Sequence, residues 1–403
     1  MTEEKNQGAA AAAEGAEQVG VAAAAESAAG QAPAAEPSAL ELPKRRQWVT
    51  LRGSSMDLRV GVGLASGCAH DLASAVGRPR ACALAAEQGA PADVVEELRR
   101  GLTDQGFLVH PCGLPAGEEA HGFSALEAFY AQLARAEVTA DDLVVAVGGE
   151  ASLSLAAAGC AHWCSQTMAA LFPTDFASAV TCGVTPRALD VAGLPRMVAH
   201  DGTARFELCD LGVLEAHSAP DDVLLARAHM VAAAMADSDK AFGKLWDAAD
   251  DIVSGDAAAG ADALVECIRS KGKVASSSSV AIRQSVEYGQ ALRHALRAVV
   301  PADVPESVLL AEALRFSARL SVAREELSLD DMFTQDELLE RLGLGSVECA
   351  VDADALLAAI KKERFSHTNR FMLALPRAIG RVRLASVEAD ALAEHVAAWC
   401  ASR

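Results

Sequence analysis

DDLVVAVGGE, residues 141–150, reads as a short apolar strand that runs into two glycines and then a charged residue. An apolar run of this length, bounded by polar and glycine punctuation, fits a strand buried on both faces. Gly148 and Gly149 then mark a tight turn of the kind that brings backbone close to a dinucleotide. A glycine pair after a strand is weak evidence alone, so its neighbours decide the reading. Upstream, PADVVEELRRGLTDQG (91–106) has apolar residues at helical spacing and ends in glycine, a helix stop. FLVH (107–110) follows as a strand and ALEAFYAQLARAEV (125–138) as a helix. WVTLR (48–52), LRVGV (58–62) and ACALA (81–85) read as further strands. Strands alternating with helices predict a parallel α/β sheet.

Beyond about residue 200 the texture becomes helical, with apolar periodicity over 220–250, 257–273, 280–299, 305–326 and 334–343. RFMLALP (370–376) and GRVRLA (380–385) read as a late strand pair, and a last helix begins near 386. The expected organisation is a Rossmann-like nucleotide-binding-type domain over 48–199 and a helical metal- or substrate-type domain over 200–403. A cleft between two such domains is a common place for a small-molecule site. Residues 1–43 are rich in Ala, Glu, Gly, Gln and Pro, with few large apolar side chains, and read as a disordered tail.

The formal charge of −20 comes with no long basic run, which argues against a nucleic-acid partner. KRR at 44–46 reads as a solvated cluster. The ten cysteines contain no C-x-x-C pair. Cys160, His162 and Cys164 come nearest to a metal cluster, but reduced cysteines commonly serve as small buried apolar residues. No apolar run reaches the roughly 18 residues of a membrane span. These features predict a cytoplasmic protein that engages neither nucleic acid nor membrane.

Several segments, in order, resemble the 3-dehydroquinate synthase family. LPAGEEAH (114–121) is similar to its "pdGE..K" segment, with Gly117 and Glu118 in place. FPTDFASAV (172–180) is similar to "vPTTLLaqv", retaining Pro173 and Thr174. FELCDLGVLEAHSAPDDVLLARA (206–228) follows "vliD...L.tLp..el..glaE" without a gap. IRSK (268–271) resembles the segment of a substrate-binding lysine, and RQSVEYGQALRHAL (283–296) resembles "R..lNfGHtfGHai". KKERFSHTNRFMLALPRAIGRVRL (361–384) resembles "DKK...g.irfvLl..iG". The resemblance runs from about residue 48 to the C-terminus. Iron-dependent alcohol and glycerol dehydrogenases share the architecture, and the segments at 283–294 and 370–382 favour the synthase branch.

This resemblance implies NAD and a divalent metal, usually zinc, acting on a phosphorylated seven-carbon sugar acid. The metal ligands of the family are one Glu and two His, and their positions fall on Ala228, Gln290 and Val304. Ala and Val offer no lone pair, and a Gln amide is a poor zinc ligand. His229 is expected to point about 100° away from Ala228 on its helix. At the implied cofactor site Glu118, Gly148, Gly149 and Thr174 are kept, but Glu150 replaces the third glycine and Ser154 an aspartate. Thr185, Pro186 and Arg187 replace the phosphate-loop residues, and Ser165 and Gln166 replace an Arg-Gly pair. Lys271, Arg283, His294 and Lys362 match substrate-contacting positions. Arg283, Glu287, Gln290 and His294 lie at helical steps, so they form either a polar pocket face or an ordinary surface ion pair with a bystander histidine.

The expectation is therefore a 3-dehydroquinate synthase-like protein with impaired or lost catalysis, for which neither NAD nor zinc is a firm cofactor. Two alternatives stay open. One is an active 3-dehydroquinate synthase of the shikimate pathway, with a site rearranged around His200, His217, His229 or His294. The other is an enzyme of changed chemistry. A homodimer, pairing with an active homologue, or a small anionic metabolite are the expected partners.

Overall fold

A computed structural model describes residues 44–184, 187–192, 194–200 and 204–403. The expected tail over 1–43 lies outside the described residues. So do Thr185, Pro186 and the side chains of Arg187 and His200.

Seven strands form the main sheet: β1 (Arg45–Leu51), β2 (Ser54–Gly61), β3 (Ala81–Glu87), β4 (Leu108–Leu114), β5 (Leu143–Gly148), β6 (Met168–Pro173) and, after a separate hairpin of β7 (Arg187–Val191) and β8 (Leu194–His200), β9 (Phe206–Asp210). Their order is β1-β2-β9-β6-β5-β3-β4. β1 is antiparallel to β2, and the other pairs are parallel. The sheet thus takes a strand from past residue 200, where the sequence reading placed the change of domain.

β5 explains why the sheet is covered on both faces. Val144 and Ala146 join the core cluster that holds Leu126, Phe129 and Leu133 of the helix Phe123–Arg135. Val145 and Val147 join the opposite cluster, with Val94, Leu98 and Leu102 of the helix Ala92–Asp104. Alternation of side chains along a strand sends successive residues to opposite layers. At the far edge, β4 is longer than the FLVH reading and contains Pro111, and Leu108 on it is 66 % exposed.

The C-terminal part is helical, centred on the buried helix Pro220–Asp237, which packs on the helices Asp239–Ser254, Ala257–Ala275 and Glu306–Ala323. Two long helical expectations break. The 220–250 stretch divides at Ser238, whose hydroxyl caps the next helix by accepting the Ala241 N–H at 3.3 Å. The 280–299 stretch divides at Gly289, whose φ of 82° is left-handed, into short helical turns over Val280–Arg283 and Gln284–Glu287 and a helix over Gln290–Arg297. The strand pair appears as β10 (Met372–Ala378) and β11 (Arg381–Ser386). No helix among the described residues is long and apolar enough to cross a membrane.

Candidate functional site

A cleft of about 610 Å³ lies between the carboxyl side of the sheet and the helical part. From the sheet side it is walled by Glu118 in the turn Gly117–His121, by Glu150 and Ser154 on the helix Glu150–His162, and by Asp190 and Arg196 of the β7–β8 hairpin. From the helical side come His229, Lys271, Glu287, Gln290 and His294, with Arg293, Arg297, Glu306 and Glu363.

Lys271 sits at the base of this cleft, 3 % exposed on the helix Ala257–Ala275. Its Nζ donates to the Val180 carbonyl at 2.9 Å and lies 3.1 Å from Nδ1 of His229. An ammonium has only donors, so Nδ1 accepts and the ring proton belongs on Nε2. Burial pulls the Lys271 pKa below its ordinary value, against the opposing pull of Cys267, Glu150 and Glu287. Burial, then the charges of Lys271 and Arg293, push His229 well below its ordinary value.

The other cations are internally paired. Arg196 bonds the Glu363 carboxylate and lies 2.8 Å from Nε2 of His294, whose Nδ1 is 3.2 Å from Glu363. Burial raises the Glu363 pKa, but the His294 hydrogen bond and the Arg196 charge outweigh it and hold the carboxyl below its usual range. Arg293 and Arg297 flank Glu306 at 2.9 and 2.7 Å. Glu118, Glu150 and Glu287 make no ion pair among the described residues, and Lys271 has no carboxylate partner there. With Asp190, which among these residues accepts only the Arg196 backbone N–H, four carboxylates outside any ion pair against one buried amine make the cleft a poor trap for a phosphorylated anion.

The structure sorts the sequence-derived positions. Glu118, Lys271, Gln290 and His294 line the cleft, together with Glu150, Ser154 and Glu287. Arg283 does not. The break at Gly289 takes it off the face shared by Gln290 and His294, and its guanidinium donates to the Ser277 carbonyl at 3.1 Å. The expected single face over Arg283–His294 is therefore corrected. Lys362 is exposed outside the cleft, and its neighbour Glu363 faces in. His229 lines the cleft, contrary to the expectation that it points away. Thr174 is not in the wall, although its N–H donates to the Gly148 carbonyl at 3.2 Å. Sequence reasoning missed Arg196, Arg293, Arg297, Glu306 and Glu363. Arg293 and Glu363 each adjoin a position already singled out, which was the available signal.

Neither implied cofactor fits the residues present. Ala228 is fully buried among apolar neighbours, Val304 packs against the hydrophobic cluster of the last helices, and the Gln290 Oε1 accepts from Arg293 at 3.3 Å. Among the described residues no three His, Cys, Asp or Glu side chains are grouped to hold a metal ion. In the Cys160–Cys164 segment, the Cys160 thiol is buried with its pKa pushed up to about 12, and the His162 Nδ1 lies 2.9 Å from the Ala158 carbonyl. At the glycine turn, the Glu87 carboxylate already accepts the Gly149 N–H, and a Cβ on Gly148 would lie 2.5 Å from the Glu87 side chain. Glu150 adds a second carboxylate at the start of the following helix. A diphosphate at that turn would meet two like charges.

No protein-family model matches the sequence, and no curated protein does. Solved structures do. The chain superposes on 2-deoxy-scyllo-inosose synthase with a TM-score of 0.74 at 15 % identity, over 87 % of this chain and 99 % of that one. A 2-epi-5-epi-valiolone synthase from Streptomyces hygroscopicus subsp. jinggangensis, solved with NAD+ and Zn2+ bound, gives 0.73 at 16 % identity over 89 % and 99 %. Maleylacetate reductase from Agrobacterium tumefaciens gives 0.57 at 16 % over 88 % and 97 %. The fold is that of the 3-dehydroquinate synthase-like proteins, a Rossmann-like parallel-sheet domain followed by a helical domain. Within it the superposition is better on the two sugar phosphate cyclases than on the reductase.

Proposed function

We propose that this chain keeps the sugar phosphate cyclase fold without the cyclase reaction and binds a small, polar, uncharged or cationic metabolite in its interdomain cleft. The observation that carries the reading is the donor set. The positions that would grip a Lewis-acidic ion hold a methyl, a carboxamide and an isopropyl group, and among the described residues no other triple of donors replaces them. A reaction that depends on an ion polarising a developing oxyanion loses several kcal/mol of stabilisation without it. The turn that would carry a diphosphate is occupied by Glu87, which supports the same reading. Glu118, Glu150 and Glu287, which line the cleft and have no ion-pair partner among the described residues, argue against a phosphorylated substrate.

Thermal-shift titration with NAD+ and Zn2+, with metal analysis of the purified protein, tests this reading. A ligand that binds only the native state must raise its stability. The expected result is no shift with either and no stoichiometric metal. A saturable shift with NAD+, or one zinc per chain, overturns it.

A further inference from the structure

We propose that Lys271 is a nucleophilic amine that forms a reversible imine with a small, uncharged hydroxy-aldehyde or hydroxy-ketone held in the cleft, with His229 carrying the proton. The inference rests on the cleft being a small-molecule site, and it adds the chemistry of the ligand.

Three observations meet at this residue. Lys271 lines the cleft yet is 3 % exposed, so its side chain is shielded from water at the edge of ligand space. Its two hydrogen-bond partners are the neutral Val180 carbonyl and the Nδ1 of His229, and among the described residues no carboxylate is in ion-pair contact with it, so Glu150 and Glu287 oppose the effect of burial only from a distance. Every arginine in the same cleft wall is paired with a glutamate instead. A lysine desolvated in this way is an activated nucleophile. Burial shifts Lys271 in the direction that favours the free amine, and it keeps His229 neutral with a lone pair on Nδ1.

The step balances within these groups. The Nζ lone pair attacks the carbonyl carbon, and the C=O π pair moves to oxygen. His229 takes a proton from Nζ at Nδ1 and returns it to that oxygen, giving a carbinolamine. A further proton transfer lets water leave as the C=N bond forms, and hydrolysis reverses the sequence. No oxidant, reductant or metal is consumed. The carboxylates of Glu118, Glu150 and Glu287, outside any ion pair among the described residues, suit the hydroxyls of such a ligand as hydrogen-bond acceptors and disfavour an anionic carbonyl compound.

Borohydride trapping of the full chain with dihydroxyacetone, and with pyruvate as the anionic counterpart, tests the proposal by peptide mapping of the reduced secondary amine. A cleft that holds the carbonyl compound beside the amine raises its effective concentration, and a lowered pKa adds free base, so Lys271 should label about tenfold faster than Lys244 or Lys273. Both comparison lysines have side chains more than half exposed. Dihydroxyacetone should label Lys271 faster than pyruvate does. Lys271→Arg should lose that labelled peptide alone. His229→Asn, whose amide holds the amine without relaying a proton, should slow labelling while leaving its position unchanged.

Labelling that follows surface exposure and spares Lys271, or a lack of labelling, overturns the proposal. An equal rate in His229→Asn overturns the histidine's part. If Lys271→Arg does not fold, the competition among lysines within the unaltered chain still decides. Failure here leaves the NAD+ and zinc titrations unaffected, so the two readings fall separately.

Discussion

The Glu87 carboxylate, at the end of β3, accepts the N–H of Gly149, which follows the neighbouring strand β5 and precedes the helix Glu150–His162. The donor that would greet an external anion is thereby used within the chain, and Glu150 guards the same turn. The double substitution Glu87→Ala with Glu150→Gly removes both charges and frees the Gly149 N–H. It is expected to create a thermal-shift response to ADP or NAD+ that the unaltered protein lacks. Glu87→Ala alone should cost about 1–2 kcal/mol in urea unfolding, the worth of one charge-assisted hydrogen bond at a half-buried site. Unchanged ligand response in the double variant would show that these carboxylates are not what closes the turn.

Two glycines hold the helical part in close contact with its neighbours. A Cβ on Gly272 would lie 2.4 Å from Cγ1 of Val49 and 2.9 Å from the Thr50 carbonyl, so the lysine helix is pressed against β1. Gly272→Ala should destabilise by about 1–3 kcal/mol, as overpacking does. Gly380 combines a φ of 74° with a would-be Cβ 2.1 Å from the Asp239 backbone N. Gly380→Ala should cost at least as much, since about 1–3 kcal/mol of backbone strain adds to the clash. Chemical denaturation of both variants measures these losses.

Stability should fall as the medium becomes acidic, in two stages. Burial is the first cause of the depressed pKa of both His229 and His395. Below pH 6.5 the unfolded chain binds protons on these rings that the folded chain refuses, so unfolding gains with each step down. Above that pH both states are neutral and the contribution is flat. Each ring accounts for at most about 1.4 kcal/mol per pH unit. The carboxyls of Asp57 and Glu363 work lower. Their ion pairs and hydrogen bonds outweigh burial and depress the folded pKa, so their stabilisation is complete above about pH 4.5 and lost as pH falls through the folded values. His229→Asn should flatten the upper stage in urea titrations from pH 7 to 5, and an unaltered slope would exclude His229 as its source.

Arg196→Gln tests the latch between the β7–β8 hairpin and the helices that carry His294 and Glu363. Removing the guanidinium leaves Glu363 partly buried with His294 in contact and the weaker influence of His367. The Glu363 carboxyl should titrate higher in carbon-detected NMR, and the loss of stability should be about 1–3 kcal/mol because one partner of a shielded pair is left behind. An unmoved titration would mean that the latch does not hold this carboxylate in solution.

The sheet was legible because β5 and β3 carry unbroken apolar runs with glycine just beyond them, and the parallel layers follow from that pattern. The site was legible only where a position stays in register on one element. Lys271 and His294, singled out through the family resemblance, both line the cleft. Arg283 was placed wrongly because helical spacing across 283–294 says nothing of a left-handed break at Gly289. His229 was misjudged because one step along a helix moves a side chain sideways without settling how wide the cleft is. Arg196 could not be found at all, because its place depends on how a hairpin folds over a cleft built from distant segments.

The edge strand β4 carries a further implication. An open sheet margin presents backbone groups on which another chain could stack, yet Pro111 interrupts that row by lacking an N–H. Leu108 gives the margin an oily spot without the unbroken ladder that ribbon-like self-association requires. Replacing Pro111 with valine would restore the missing donor, making the margin a nucleus for precipitation at concentrations where the natural chain stays dispersed.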